Sequence, residues 1–222
     1  MAMVEGARTI TWSGDIVTLL SKAGRHPMAC PRLKVFSATP FPLDAPAGRM
    51  FYPPFLIGGG MTVRCAGARL KEGGGAPLLE RASALGADVV LMDADKVCGV
   101  DHLLSAAFHA RRAFERGTAS CNTLGMEVIL YASGERQITK AKRKMGLGPG
   151  TERVALVLLD EEGDMDRLIK AMGLERDDAL LACTRAKGEA FGISPRELET
   201  VGEGRLQDLV LEKVAFVDLL KR

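Results

Sequence analysis

Apolar positions recur with the spacing of regular secondary structure from residue 62 onward. Apolar and polar residues alternate along 62–70, which predicts a first strand. The apolar runs Val89–Met92 and Val154–Leu159 predict two further strands, both buried. Because only three strands are clear and several helices occur in succession, the pattern favours an α+β fold. We expect a single domain in which a small, mainly antiparallel sheet packs against several helices.

Helical spacing and end signals predict seven helices. The most apolar one begins near Leu124 and ends at Ser133-Gly134, and a helix rich in Lys and Arg follows directly. The sequence Ser194-Pro195-Arg196-Glu197 is a capping box with proline in the first turn, which marks another helix start. The remaining predicted helices span 77–85, 99–116, 164–172 and 206–220.

Residues 1–60 differ from the rest of the chain. The stretch 37–60 holds five of the ten prolines and shows no sustained period, and only 10–20 suggests a short strand or helix. We expect an unstructured N-terminal extension, a disordered leader, ahead of the domain at 61–222. A second hypothesis is that translation begins at Met61 and that residues 1–60 result from a mis-called start of the gene. The three glycines 58–60 before Met61 match an in-frame translation of a purine-rich ribosome-binding site, although a flexible glycine linker is the alternative.

The net charge of +2 is unevenly divided along the 222 residues. Residues 1–60 carry six Lys/Arg and three Asp/Glu, so 24 of the 30 basic and 25 of the 28 acidic residues remain for 61–222. A polyanion must therefore be bound by a local basic patch. Five cysteines without a CxxC pair favour reduced thiols in a cytoplasmic protein. With no signal-peptide pattern and no apolar run long enough to span a bilayer, we expect no membrane association.

Candidate catalytic groups are few. Cys98 lies four residues before His102 on a predicted helix, so the two side chains can share a face as a nucleophile and its base. No third group that would orient the base is evident, and the alternative is that Cys98 packs in the core. His102 and His109 are too far apart for one metal ion, and the glycines of 146–150 follow a helix instead of preceding one. We therefore predict no catalytic residue, no metal and no cofactor.

The strongest functional signal is the segment Leu124–Lys144, in which a basic helix follows the apolar one. We predict that Ser133 caps the basic helix and that Glu135 lies at its positive end. Glu127, in the middle of the apolar helix, should be paired or should face solvent, because an unpartnered buried carboxylate is very costly. The predicted apolar stripe of the basic helix is Ile138, Ala141 and Met145, and its other face carries Arg136, Lys140 and Arg143.

Two interpretations of the basic helix remain open at this level. Helix-start amides together with Ser133, Arg136 and Lys140 make a compact site for phosphates. The alternative is a solvated basic face on an ordinary surface helix. Tyr131 is the nearby aromatic residue that could stack on a base, or else it is buried.

Five motifs resemble one family. They are ADVV (Ala87–Val90), HLLSAAFHARRAF (His102–Phe114), Asn122, MEVILYASGERQI (Met126–Ile138) and LEKVAFVDL (Leu211–Leu219). In this order they resemble the small regulatory subunit of the KEOPS complex, the family called TPRKB or PRPK-binding protein in animals. The ASGxRQI string between two helices is the most specific part, and the likeness spans residues 62–220.

The resemblance implies a non-catalytic role in tRNA modification. The KEOPS complex installs the threonylcarbamoyl group on adenosine 37 of tRNA. Its regulatory subunit is expected to bind the amino-terminal lobe of the atypical KEOPS kinase, to support its ATPase activity, to help hold the tRNA 3′ CCA end, and to meet the other KEOPS subunits only indirectly. The implied tRNA-binding residues are Ser133, Gly134, Arg136, Gln137, Lys140, Arg143 and Asn122.

Three points stay open at the level of sequence. The helices at 100–116 and 122–132 are both candidates for the kinase-binding surface, because sequence does not separate core from interface. A free-standing RNA-binding domain without a kinase partner is one alternative function. A small enzyme that uses Cys98 and His102 is the other.

Overall fold

The computed structural model describes residues 9–12, 15–18, 55–57, 61–71, 75–85, 88–159 and 163–221. The chain divides into two units, Met1–Phe36 and Ser37–Arg222. In the first unit, strands β1 (Thr9–Trp12) and β2 (Asp15–Thr18) pair as an antiparallel hairpin, where the sequence suggests a short strand or helix. The rest of the predicted leader lies outside the described residues, except for one short strand before Met61.

The second unit is built on a five-stranded antiparallel sheet. Its strands are β3 (Phe55–Ile57), β4 (Met61–Leu70), β5 (Val89–Asp93), β6 (Arg153–Leu158) and β7 (Leu174–Arg176). The strand order is β3-β4-β6-β5, and β7 pairs with the C-terminal end of β4. The three predicted strands are confirmed, and they are neighbours in the sheet in the order β4-β6-β5.

Eight α-helices accompany this sheet in the described part of the chain. They are α1 (Gly75–Ala84), α2 (Val100–Glu115), α3 (Leu124–Ser133), α4 (Ile138–Met145), α5 (Met165–Ala171), α6 (Arg185–Phe191), α7 (Pro195–Val201) and α8 (Leu206–Leu220). The predicted capping box is confirmed, since the Ser194 hydroxyl accepts from the Glu197 amide and the Glu197 carboxylate accepts from the Ser194 amide. The predicted α+β class is likewise confirmed.

The sheet separates two layers of helices. Along β6, Ala155 and Val157 belong to the core shared with α2, α3, α4 and α8. The alternate residues Val154, Leu156 and Leu158 belong to the core shared with α1 and α5. Successive side chains of a strand point to opposite faces, so a strand that is covered on both sides needs apolar residues at every position. This double burial explains why β5 and β6 appear in the sequence as continuous apolar runs.

A smaller apolar cluster joins the C-terminal helices to the start of α2. Phe191 of α6, Leu198 of α7 and Leu206 of α8 pack together with Cys98. The Phe191 ring also approaches the end of α3, because a Cβ atom built on Gly134 would lie 3.5 Å from its Cζ atom. Helix α6 therefore packs against the turn between α3 and α4.

Two strands and one helix of the second unit escaped the sequence pattern because they are short. Strands β3 and β7 have three residues each and helix α6 has seven, too few to display an apolar period. The ends of α6 are nevertheless well defined. The Thr184 hydroxyl accepts from the Lys187 amide, and Gly192 ends the helix with a left-handed φ of 104°.

The predicted boundary after residue 60 lies in the connection between two paired strands. Strand β3 stands antiparallel to residues 61–63 of β4. Backbone hydrogen bonds of this kind tie three residues of the predicted leader to the sheet. Whether translation begins at Met61 stays a prediction.

Candidate functional site

The turn between α3 and α4 is shaped by Ser133 and Gly134. Gly134 has a left-handed φ of 67°, and its amide donates to the Tyr131 carbonyl, which ends α3. The Ser133 hydroxyl donates to the Leu130 carbonyl over 2.7 Å and accepts from the Glu135 amide over 3.1 Å. Ser133 is fully buried, so its hydroxyl shapes the turn and is not presented to a ligand.

The predicted start of the basic helix is wrong by one turn. Helix α4 begins at Ile138, with Gln137 at its N-cap and no side chain that caps it. The left-handed residue Gly134 reverses the chain, and Gln137 keeps an extended conformation with φ −103° and ψ 123°, so helical geometry resumes only after it. Arg136 therefore lies in the turn and not on the helix, and Ser133 caps nothing.

Helix α4 has the predicted division into an apolar and a basic face. Ala141 and Met145 are fully buried in the main core, and Ile138 packs against it. Lys140 and Arg143, three residues apart, lie on the exposed face. The turn and this face together present a basic surface whose members are Arg136, Gln137, Lys140, Lys142 and Arg143, all exposed. We call these residues the basic surface.

The cations of the basic surface have no partners in the described part of the chain. The side chains of Arg136, Lys140, Lys142 and Arg143 make no hydrogen bond or ion pair with any described residue. Residues 136–151 contain no Asp or Glu, so no carboxylate in the segment itself neutralises the charge. Several arginines elsewhere are paired with carboxylates: Arg69 with Asp177, Arg112 with Asp218, Arg153 with Asp95 and Arg205 with Asp208.

Lys144 has a structural role that the sequence did not reveal. Its ammonium donates to the Ser133 carbonyl over 2.7 Å and lies 3.9 Å from the centre of the Phe191 ring. A cation at the last carbonyls of a helix is favourable, and so is one over an aromatic face. Burial lowers the pKa of Lys144, although Glu135 opposes this effect. The side chain ties α4 to the end of α3 and to α6.

Asn122 lies apart from the turn residues. It is exposed in the loop before α3, whereas Gly134 follows the other end of this ten-residue helix, about 15 Å away along its axis. The structure thus brings together six of the seven predicted residues at the turn and α4, and it leaves Asn122 at the other end of α3.

Glu127 is buried and paired, so the first of its two predicted environments, paired or facing solvent, is confirmed. Its carboxylate is fully inaccessible and forms an ion pair with Lys221, beyond the end of α8. It also accepts from the backbone amides of Ser120 and Cys121, at 3.1 and 2.9 Å. Glu127 therefore fixes both the loop that carries Asn122 and the end of α8.

Tyr131 is buried beneath the surface and is not free to stack on a base. Its hydroxyl donates to Asp218 over 2.5 Å, and its ring stacks on His109. The Lys221 ammonium lies over the face of the same ring. Arg112 forms an ion pair with the same Asp218 carboxylate. Burial, together with the Asp218 carboxylate, raises the pKa of Tyr131, so the hydroxyl stays a donor. Of the two sequence-level alternatives for Tyr131, the buried one is confirmed.

Cys98 and His102 do not form a nucleophile and its base. His102 is fully buried, its Nδ1 accepts from the Cys98 backbone amide over 3.1 Å, and its Nε2 donates to the Ala132 carbonyl over 2.7 Å. Both ring nitrogens are thus used by the backbone, which leaves none to accept a thiol proton. This histidine connects the start of α2 to the end of α3 and has a structural role.

The buried His102 predicts a specific pH dependence of stability. Burial lowers its pKa to about 4, below the ordinary value of 6.5. Because the unfolded chain takes up the proton first, stability is lost as the pH falls from 6.5 towards 4, by up to about 1.4 kcal/mol per pH unit. Urea unfolding at pH 7, 6 and 5 should show a shallower loss for His102→Gln than for the wild-type protein. Equal slopes would assign the acid sensitivity to other groups.

In the described part of the chain, no helix is long and apolar enough to cross a membrane. No three His, Cys, Asp or Glu side chains in those ranges converge in a way that could hold a metal ion.

Comparison with known proteins identifies the family. A family model described as kinase binding protein CGI-121 matches residues 76–218, which is more than half of the chain. The chain belongs to the CGI-121 family. The matched region begins in α1 and ends in α8, so it contains the turn, the basic surface and the Glu127 carboxylate. The resemblance found in the sequence motifs is thereby confirmed.

A curated relative of the CGI-121 chain is the regulatory protein Cgi121 of Methanocaldococcus jannaschii. The two are 30% identical over 138 residues, which cover 62% of this chain and 88% of the relative. The family description names kinase binding, and the relative is named a regulatory protein. The chain is therefore assigned to a family of regulatory, kinase-binding proteins.

Proposed function

We propose that this CGI-121 chain is a non-catalytic subunit of a cytoplasmic KEOPS tRNA-modification complex, which forms threonylcarbamoyladenosine. In this role it binds the amino-terminal lobe of the KEOPS kinase, supports its ATPase activity and helps to hold the 3′ CCA end of tRNA. The main support for the RNA-binding part of this proposal is the basic surface, whose cations are exposed and have no carboxylate partners. This surface lies within the region that matches the family, on a domain whose other charges nearly cancel.

The proposal for RNA follows from the electrostatics of the basic surface. Unpaired cations have no internal ion pair to lose when a phosphate binds, and they release counterions from the nucleic acid. Lys140 and Arg143 lie on the exposed face of α4, and Arg136 is exposed in the turn that precedes this helix. Three cations in a row suit the backbone of a short single strand better than a single small anion.

The predicted site residues divide into two roles in this proposal. Arg136, Lys140 and Arg143 contact phosphates, whereas the exposed amides of Gln137 and Asn122 are free to hydrogen-bond to bases. Ser133 and Gly134 act indirectly, by holding the turn. Since Tyr131 is buried, base stacking on this aromatic ring is not part of the proposal.

A surface on α2 and α8 is the best candidate for the kinase. Helix α3, one of the two helices considered from sequence, is buried along most of its length and exposes no large apolar side chain. By contrast, Phe108 of α2 is 45% exposed, and Phe216 and Leu219 of α8 are 50% and 54% exposed. Exposed apolar side chains of this size mark interaction sites. We call Phe108, Phe216 and Leu219 the α2–α8 patch.

Contacts between the two helices hold this patch together. The Arg112 guanidinium lies 5.5 Å from the centre of the Phe108 ring and forms an ion pair with Asp218, the residue next to Leu219. The ion pair therefore links α2 to α8 beside the exposed Phe108 ring. An apolar centre with a charged rim is the usual composition of a protein interface.

We expect Leu219→Glu to weaken kinase binding at least tenfold. A leucine buried in an interface contributes roughly 2 kcal/mol, and a carboxylate in its place adds a desolvation cost. The matched control is Leu79→Glu on α1, which is similarly exposed at 51% but lies on the opposite side of the sheet. Titration calorimetry with the purified kinase measures both. Equal affinities for the two variants would place the kinase elsewhere.

Recovery of partners from native lysate tests the proposed function as a whole. The tagged full chain should retain the kinase, and purified chain should bind intact tRNA more tightly than tRNA trimmed of its CCA end. Recovery of RNA without any kinase would favour the free-standing RNA-binding alternative. Binding that is indifferent to trimming would contradict the assignment to the acceptor end.

A further inference from the structure

Two cysteines from distant parts of the sequence meet under α6. Cys98 is fully buried just before α2, and the half-buried Cys183 lies just before α6 and packs against the same apolar cluster. Their backbone segments are held side by side, because the Gly99 amide donates to the Leu181 carbonyl over 2.7 Å. The fold therefore places the two cysteines on neighbouring backbone segments, next to one apolar cluster.

Lys187 holds the same two segments together and adds a positive charge. Its ammonium donates to the Val97 carbonyl over 3.0 Å and to the Leu180 carbonyl. Cys183 packs against the apolar cluster that contains Cys98, so both thiols lie on the segments that this ammonium joins. These contacts lie on the first turn of α6 and on the segment before α2, away from the basic surface and the α2–α8 patch.

The surroundings of the two sulfurs shift their pKa values in opposite directions. The neighbouring Cys98 thiol, followed by the charge of Lys187, lowers the pKa of Cys183. The Cys183 sulfur and burial raise the pKa of Cys98. A partly exposed thiol of lowered pKa next to a buried thiol is the arrangement of a peroxidatic and a resolving cysteine.

We propose that Cys98 and Cys183 form a reversible intramolecular disulfide when the protein meets a peroxide. The Cys183 thiolate attacks one peroxide oxygen, the O–O bond breaks, and the leaving oxygen takes up a proton to depart as water, which leaves a sulfenic acid on Cys183. The Cys98 sulfur then attacks the Cys183 sulfur, the S–OH bond breaks, and the Cys98 proton leaves with the hydroxyl as a second water. The two sulfurs lose two electrons in total, and the peroxide gains them.

Treatment of the full chain with hydrogen peroxide tests this proposal. We expect a mass loss of about 2 Da, which dithiothreitol reverses, and a non-reduced peptide map that joins Cys98 to Cys183. Cys183→Ser should abolish the cross-link, and Cys121→Ser should leave it unchanged. Cys121 is a matched control, since it is also half-buried but burial and Glu127 raise its pKa to about 11.

A second measurement separates an activated thiol from mere proximity. At pH 7.5, iodoacetamide should label Cys183 at least about tenfold faster than Cys121, because a larger fraction of the Cys183 side chain is in the thiolate form. Lys187→Gln should shift the pH midpoint of Cys183 labelling upward. The proposal is overturned if peroxide yields a cross-link to Cys30 or Cys121 instead, yields no cross-link, or if Cys183 and Cys121 are labelled at equal rates.

Discussion

Lys221→Met is expected to destabilise the protein by about 3–5 kcal/mol, the cost of leaving one partner of a buried ion pair without the other. The Lys221 side chain is 8% exposed and the Glu127 side chain is completely inaccessible, so water does not replace the lost ammonium. The Ser120 and Cys121 amides still donate to the carboxylate, which favours the lower end of this range. A fall in Tm of about 10 °C should accompany the change in a domain of this size.

Lys213→Met is the matched control on the same helix. Lys213 pairs with Glu197, but the two side chains are 37% and 41% exposed, and exposed pairs of this kind contribute at most about 1 kcal/mol. Urea unfolding of both variants measures the difference. If the two variants are equally stable, the pair at Glu127 has no special role.

A double variant distinguishes a stranded charge from lost packing. Glu127→Gln combined with Lys221→Met removes both charges while it keeps the shape of the side chains. It should be more stable than Lys221→Met alone, because no uncompensated carboxylate remains. A double variant that is less stable than either single variant would mean that the pair stabilises mainly by packing.

Arg136→Glu combined with Lys140→Glu is expected to weaken tRNA binding on the order of 100-fold at physiological salt. Each lost phosphate contact removes a charge-assisted hydrogen bond worth roughly 1.5 kcal/mol, and two such losses correspond to this factor. The slope of log affinity against log salt should fall by about 1.4, or 0.7 for each contact on a single strand. Both side chains are exposed, so we expect the fold and Tm to be unchanged.

The matched control is Arg167→Glu combined with Lys170→Glu on α5. It makes the same change in net charge on exposed residues, but α5 packs on the opposite side of the sheet. Filter binding at three salt concentrations, with intact and CCA-trimmed tRNA, compares the two double variants. The Arg136/Lys140 variant should be nearly indifferent to trimming. If both double variants bind equally well, the basic surface is an ordinary solvated face.

The two expected effects lie on different parts of one helical unit. Glu127 fixes the loop before α3 and the end of α8, whereas Ser133 and Gly134 fix the turn after α3. Helix α3 is therefore an internal support whose two ends carry the candidate RNA-contacting residues. This arrangement answers why the most apolar helix of the chain directly precedes the most basic one: the buried helix anchors an exposed turn.

The long elements and the class of fold could be predicted from local pattern. Strands β4, β5 and β6 and helix α8 lie close to their predicted bounds, because each buries enough apolar residues to show a period or a continuous run. The basic surface was also visible, since Arg136, Lys140 and Arg143 are close in sequence. Even the pairing of Glu127 was predictable from the cost of burying a charge, although its partner was not.

What only the tertiary structure decided depends on contacts between distant residues. The start of α4 at Ile138, the burial of Tyr131 under Asp218, and the role of Lys144 over Phe191 involve neighbours that no local pattern records. The same is true of Lys221, which lies 94 residues from Glu127. Sequence by itself determined the apolar face of each long element and the cluster of cations at 136–144, because burial follows from apolar spacing within an element. Partner choice required the fold, because hydrogen bonds and ion pairs form between side chains that only chain folding brings within about 3 Å.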